Sequence, residues 1–319
     1  RDLAMMIIKN WKYDEDSLNL LNYYRISANA VYPFRNNGKT YILRFCSDDG
    51  KSAEQILAEI EFTQYLRNNN YDALEFILSN NGNYLEKVNT PWGRYFAAVT
   101  KRVDGVQLDQ VDLTTEIVKA YGISLGMLHR YSSDYSTSNI KRWNHNDVFD
   151  WIYKVLNEMP NENEAIVEMY NLRKQMDVLK IDRNRYGLVH YDFETDNVFF
   201  DSSKMIFNII DFDDSMYNWY LLDIEQTLDS MKEQLNGNIY SEMKDVFIKG
   251  YKSINDFEDE DLKYFPIFRR FINLYGYTRI KRSVYEKWDN EPEWMIQLRE
   301  KLGNICKNRM STFEKVYVG

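Results

Sequence analysis

Only two of the 319 residues are cysteine, Cys46 and Cys306, and they lie far apart in the chain. That excludes a disulfide framework and any cysteine-based metal spacing, and it fits a reducing compartment. Long apolar runs are missing too. Nothing approaches the roughly 20 residues that a membrane helix needs. Residues 4–8 are too short for the apolar core of a signal peptide. The chain opens on Arg1, so the native start is expected upstream. A cytoplasmic protein with no membrane partner is the expectation. Positive charge is in deficit: 40 Lys and Arg face 49 Asp and Glu, a net charge of −9. A nucleic-acid backbone needs a basic footprint, so nucleic acid is not expected as the main partner. Internal repeats and low-complexity tracts are also absent. What remains is an ordinary globular composition at a length suited to one large or two medium domains.

The first hundred residues alternate strand and helix signals. Residues 30–34 and 40–45 read as a hairpin around the polar turn Arg35-Asn36-Asn37-Gly38. Ser52-Ala53-Glu54-Gln55 is a capping box that opens a helix running to about Arg67. That helix has two apolar sides, one with Ala53, Ile56, Leu57 and Ile60 and one with Phe62 and Leu66, as if packed between a sheet and something else. With strand candidates at 75–78, 84–88 and 94–99, a five-stranded antiparallel sheet holding one helix is predicted. Beyond Asp104-Gly105 the pattern is helical, at 113–131, 147–158 and 163–178, and again from Asp223 onward. Short extended pieces at 188–190, 197–201 and 205–210 interrupt it. A loop and hairpin set into a helical scaffold suit a catalytic platform.

That island holds His190-Tyr191-Asp192-Phe193-Glu194-Thr195-Asp196-Asn197, then Ile209-Ile210-Asp211-Phe212-Asp213-Asp214. The first string is H-x-D-x-x-x-x-N and the second an acidic D-F-D after apolar strand residues, in the order and spacing of a kinase catalytic loop and metal motif. Moving a γ-phosphoryl group accumulates charge that a divalent cation must neutralise. Mg²⁺ takes hard oxygen ligands and retains waters, so one carboxylate and one amide oxygen suffice, here Asp211 and Asn197. Asp192 is the candidate base for the acceptor hydroxyl. His190 reads as a brace for the loop.

With these motifs in view, the chain resembles the aminoglycoside phosphotransferase and choline kinase-like family, nearest the branch with homoserine kinase type II and the stress-response kinase. The resemblance runs from about Ser27 to Leu228. It is carried by Ser27-Ala28-Asn29-Ala30-Val31-Tyr32, Tyr41-Ile42-Leu43-Arg44-Phe45, Ala58-Glu59, Val103-Asp104-Gly105, Leu125-Gly126-Met127-Leu128-His129 and the two central motifs. It implies an α+β, two-lobed protein-kinase-like fold. The N-lobe, residues 1–103, would be an antiparallel sheet plus a helix that binds nucleotide. The C-lobe, residues 104–319, would be mainly α-helical, with the catalytic loop, metal site and acceptor pocket. It also implies ATP and Mg²⁺ as cofactors and phosphoryl transfer to a hydroxyl of a small molecule such as an aminoglycoside, amino alcohol or hydroxy-amino acid. Ser27 and Asn29 would lie over the phosphates, and residues from Lys101 to Val103 would hold adenine. Arg44 stands where the family often has Lys; it would contact phosphate and pair with Glu59, or with Glu61.

Three absences argue against a Ser/Thr protein kinase. No G-x-G-x-x-G lies in the first hundred residues, Asp213 replaces the glycine after Asp-Phe, and no A-P-E follows. A nucleotide-binding module without turnover is the other alternative, and the intact Asp192, Asn197 and Asp211 oppose it. The acceptor is the least legible part. Glu194, Asp196, Asp213 and Asp214 would hold a cationic amine, or Asp213 and Asp214 would brace the loop or the metal. Trp219 with Tyr220 would form an aromatic wall, or anchor the next helix. Arg269, Arg270, Lys281 and Arg282 would be a solvated face, or would reach an acidic substrate.

Overall fold

The computed structural model describes residues 1–26, 29–137, 140–287 and 289–314. In chain order it begins with α1 (Asp2–Ile7), β1 (Arg25–Ile26), β2 (Ala30–Asn36), β3 (Lys39–Ser47), α2 (Ala53–Asn68), β4 (Phe76–Ile77), β5 (Glu86–Thr90), β6 (Gly93–Lys101) and β7 (Val106–Gln107). Three helices follow, α3 (Thr115–Asp134), α4 (His145–Asn157) and α5 (Asn163–Asp177), then β8 (Tyr186–Val189), β9 (Val198–Asp201), β10 (Ile206–Ile209) and β11 (Met216–Trp219). The rest is helical: α6 (Leu221–Gln234), α7 (Gly237–Lys252), α8 (Phe265–Ser283) and α9 (Glu293–Met310). The chain divides into two compact units, neither a continuous stretch. One comprises Arg1–Arg142, Asp192–Ser215 and Ser230–Asn255; the other comprises Trp143–Tyr191, Met216–Asp229 and Asp256–Gly319.

The first unit contains an antiparallel sheet in the order β1-β2-β3-β6-β4, with β5 also paired to β6. It has six strands rather than five because Arg25 and Ile26 add a short edge to β2. Period-two alternation sorts its side chains. Leu43 and Phe45 of β3 and Ala97 and Val99 of β6 join Ile7, Ile8 and Trp11 in one core. Cys46, Phe96 and Ala98 face the other way, onto Ile56 and Ile60 of α2. Arg44 therefore shares the α2 side with Cys46. The capping box forms: Ser52 Oγ accepts the Gln55 amide at 3.2 Å and Gln55 Oε1 accepts the Ser52 amide at 3.0 Å. Leu57, expected on an apolar stripe, is 40% exposed. The second apolar side of α2 does find a partner: Phe62 lies 5.9 Å from Phe212 and 4.9 Å from Tyr135 between ring centroids.

Helices α3 and α7 of the same unit approach backbone to backbone. A Cβ at Gly122 would overlap the Phe247 carbonyl, and one at Gly250 the Lys119 carbonyl. Alanine favours helix by about 1 kcal/mol over glycine. Here overpacking should outweigh that, so Gly122→Ala is expected to destabilise the protein by roughly 1–3 kcal/mol in urea unfolding. A variant as stable as the wild type would refute the close packing.

The second unit gathers α4, α5, α8 and α9 around a core with Phe149, Leu172, Trp219, Phe271 and Leu274. Three of the four basic residues read from the sequence are tied to acidic partners of the same unit, and the fourth, Arg282, is exposed. Arg269 binds Glu225 and Asp229, Arg270 clasps Glu168 through two 2.7 Å bonds, and Lys281 pairs with Glu162. Arg282 lies over the Trp151 ring.

Candidate active site

The catalytic loop starts where β8 ends. Tyr191 has φ +71°, a left-handed conformation that a bulky residue rarely adopts. Asp223 holds it there: its carboxylate accepts the His190 amide at 2.7 Å and the Tyr191 amide at 2.8 Å. Asp223 and His190 are both fully buried. From sequence Asp223 reads as the start of a helix, and its pairing with the loop comes from partners more than thirty positions away. Asp223→Ala would leave two buried amides without their acceptor. The expected result is a loss of roughly 2–4 kcal/mol in unfolding experiments and a matching loss of turnover, since the strained residue directly precedes Asp192. Wild-type stability and turnover in that variant would remove the brace.

From Asp192 to Asn197 the loop is fastened at nearly every residue. Tyr121 donates to the Phe193 carbonyl at 2.8 Å, the Thr195 amide to Ser230 Oγ at 3.0 Å, and Gln234 to Thr195 Oγ1 at 2.6 Å. The Asn197 amide nitrogen donates to Asp192 Oδ2 at 2.8 Å and to the Asp192 carbonyl at 3.1 Å. This fixes the orientation of the asparagine, and its amide oxygen is the atom available to a cation. The Ile210 amide donates to the Asn197 carbonyl at 3.1 Å, so Asp211 follows directly from a residue bonded to the loop. Asp211 itself has φ +63° and opens the single turn Phe212–Asp214.

Asp213 is a point of convergence. Arg44 Nη1 lies 3.2 Å from Oδ1, Asn29 donates to Oδ2 at 2.6 Å, and Lys51 also binds Oδ2. Arg44 clasps Glu59 with both Nη atoms. Glu61 instead accepts the Tyr135 hydroxyl at 2.6 Å. Strand alternation and the helix repeat explain the choice: Arg44 is on the α2 side of β3, and Glu59 lies buried between Ile56 and Ile60. Burial works against the Arg44 charge, but Asp213 and Glu59 outweigh it and hold the guanidinium well above its usual range. The same pair of cations, Arg44 then Lys51, overcomes burial at Asp213 and holds that carboxyl well below the usual range. Asp192 shifts the other way. Burial, then the carboxylates of Glu194, Asp211, Asp196 and Asp214, push it up to about 8. Burial and Asp213 also raise Asp211, with Arg44 opposing.

Ser27 lies outside the described residues. The Lys101 amide donates to the Glu75 carbonyl, and Val103 packs beside Leu74, Phe76 and Ile210. Of the two roles open to Trp219, wall or anchor, the structure fits the anchor. It is buried, its indole N–H donates to the Lys180 carbonyl, and its ring stands edge-on to Tyr186, so it anchors packing and offers no wall to a substrate. Lys51 was missed beside the helix cap, where a lone lysine carries no distinguishing pattern.

Comparison with known proteins bears on the family and the fold. The family model described as the phosphotransferase enzyme family matches residues 26–252. The amicoumacin kinase of Bacillus subtilis (strain 168) is 23% identical over 292 residues, spanning 87% of this chain and 85% of that protein. The solved structure of an amicoumacin kinase in complex with AMP-PNP, Ca²⁺ and Ami superposes with a TM-score of 0.80 at 19% identity, covering 99% of this chain and 95% of that one. A microcompartment-associated aminopropanol kinase superposes at 0.73 and 18% identity, covering 97% and 95%. These likenesses bear out the α+β, kinase-like fold. The chain belongs to the phosphotransferase enzyme family, and it is a kinase that acts on a small-molecule hydroxyl.

Proposed function

We propose that this kinase uses ATP with Mg²⁺, that Asp192 is the catalytic base, and that Asn197 and Asp211 hold the metal. The observation that carries the reading is the chain of contacts from Asp192 to Asn197 to Ile210, which ties the loop that holds the carboxylate and the amide to the backbone that leads into Asp211. The donor set suits the ion. Among the described residues no three His, Cys, Asp or Glu side chains form a ready metal cage, and Mg²⁺ is commonly held by one or two protein ligands plus phosphate oxygens. A divalent cation there supplies charge neutralisation at the transferring phosphoryl group. It would also relieve the crowding of carboxylates that raises Asp192, leaving the base ionised to accept the acceptor's proton.

In this reading residues 1–103 bind the nucleotide and residues 104–319 carry the catalytic loop and acceptor pocket. Arg44, held by Glu59, and Lys51 exchange Asp213 for phosphate oxygens, with Ser27 and Asn29 over the phosphates. Lys101 and Val103 border the adenine. Asp213 holds these cations until the phosphates take them over, so it serves this group rather than the acceptor. Glu194, Asp196 and Asp214 add negative charge around Asp192, and such a cluster favours an acceptor that carries an amine. The aminopropanol of one related kinase joins a hydroxyl to an amine in just this way. The protein would act in the cytoplasm; among the described residues no helix is long and apolar enough to cross a membrane.

The test is ADP release from Mg·ATP across amino alcohols, aminoglycosides, hydroxy-amino acids and neutral or acidic hydroxyl compounds. Turnover concentrated among the amine-bearing compounds is the expected result. Preference for an acidic acceptor would remove the role given to Glu194, Asp196 and Asp214.

A further inference from the structure

Helix α2 carries Glu59 and the turn Phe212–Asp214 carries Asp213, so whatever fixes that helix against that turn also fixes the Arg44 network. We infer that Arg142 is the positioning residue that does this, by tying the metal motif to α2. Its Nη1 donates to the Ser215 carbonyl at 3.1 Å and its Nη2 to the Ala58 carbonyl. Ser215 directly follows Asp214, and Ala58 directly precedes Glu59. The guanidinium carbon lies 5.6 Å over the Phe62 ring, and Phe62 meets Phe212, which stands between Asp211 and Asp213. Ala58, Phe62, Phe212 and Ser215 are all buried. One cation thus grips both sides of the contact and covers the aromatic pair that forms it.

The residue type matters. A carbonyl has two lone pairs, so Ala58 can accept a side-chain donor without leaving the helix ladder. Reaching two carbonyls while stacking on a ring requires donors spread over a planar fork, which arginine has and lysine lacks. Both carbonyls are buried, which makes bonds from a charged donor to them stronger than at the surface. Arg142 acts through backbone, bonding one carbonyl next to the turn Phe212–Asp214 and one next to Glu59, as an outer-shell partner does.

This inference rests on the kinase reading above, and the test separates the two. Mg²⁺ with AMP-PNP is titrated calorimetrically into the wild type, Arg142→Met and Arg142→Lys. Each protein is first checked for native circular dichroism, and AMP-PNP without metal serves as a control. The metal-dependent part of the affinity is expected to fall roughly tenfold to a hundredfold in both variants. The metal-free affinity should fall less, since there only the Arg44 contacts to phosphate are loosened. A folded Arg142→Met with wild-type Mg²⁺-dependent affinity overturns the positioning role and leaves the kinase reading intact. If Arg142→Met does not fold, Arg142→Lys decides in the same way. A wild type that binds no Mg·AMP-PNP overturns both.

Discussion

Asp192→Asn is expected to lower phosphoryl transfer at least about a hundredfold, the low end of what a positioned general base contributes. Asparagine is the cleaner substitution than alanine. Its side-chain oxygen can still accept the 2.8 Å bond from Asn197, so the loop keeps its geometry and loses only the proton acceptor. Binding of Mg·AMP-PNP should therefore survive while turnover does not. Near-wild-type turnover would remove Asp192 as the base. The pH dependence adds a signed prediction. The base works only when ionised, so the rate rises with pH through its pKa. Burial and the neighbouring carboxylates, Glu194 first, raise that pKa. Glu194→Gln removes a negative neighbour, which lowers the pKa and moves the acid limb of kcat/KM to lower pH. A limb that moves to higher pH would contradict the electrostatic account.

Asp211→Asn is expected to cost at least about a hundredfold as well, for a different reason: it removes charge from the metal site at the point where transition-state charge must be balanced. Asp211 sits at φ +63°, a conformation that asparagine tolerates better than alanine, so the amide replacement isolates the charge from the backbone. Here both turnover and the Mg²⁺ requirement should change, with half-saturation shifted to higher metal concentration. The contrast is diagnostic. Asp192→Asn should lose rate at unchanged metal dependence, and Asp211→Asn should lose both. An Asp211→Asn enzyme with wild-type Mg²⁺ half-saturation would place the metal elsewhere.

Residue type and spacing alone determined a good deal. The catalytic loop and the metal motif are each short strings whose members cooperate within six residues, so chain connectivity already holds them together. Strand and helix periods placed the 30–45 hairpin, the capped helix from Ser52 and the helical second half. Residue type and spacing left both Glu59 and Glu61 open as partners of Arg44, and only the structure pairs it with Glu59. Other features depended on tertiary structure, because their partners are distant in sequence. Asp223 meets His190 and Tyr191 from 33 and 32 positions away, Lys51 meets Asp213 from 162, and Arg142 reaches Ala58 from 84. No local pattern encodes such a pairing; it exists only once packing has set the register of one element on another. Trp219 fails in the same way from the other side. An aromatic residue next to a catalytic motif has the same composition whether it lines a pocket or fills a core, and only burial against Tyr186 and Phe268 decided that it fills a core. The sequence therefore determined the class of chemistry and the residues proposed to perform it. Tertiary packing decided what holds them in place, since positioning is a property of long-range contacts and not of the string that carries the reactive groups.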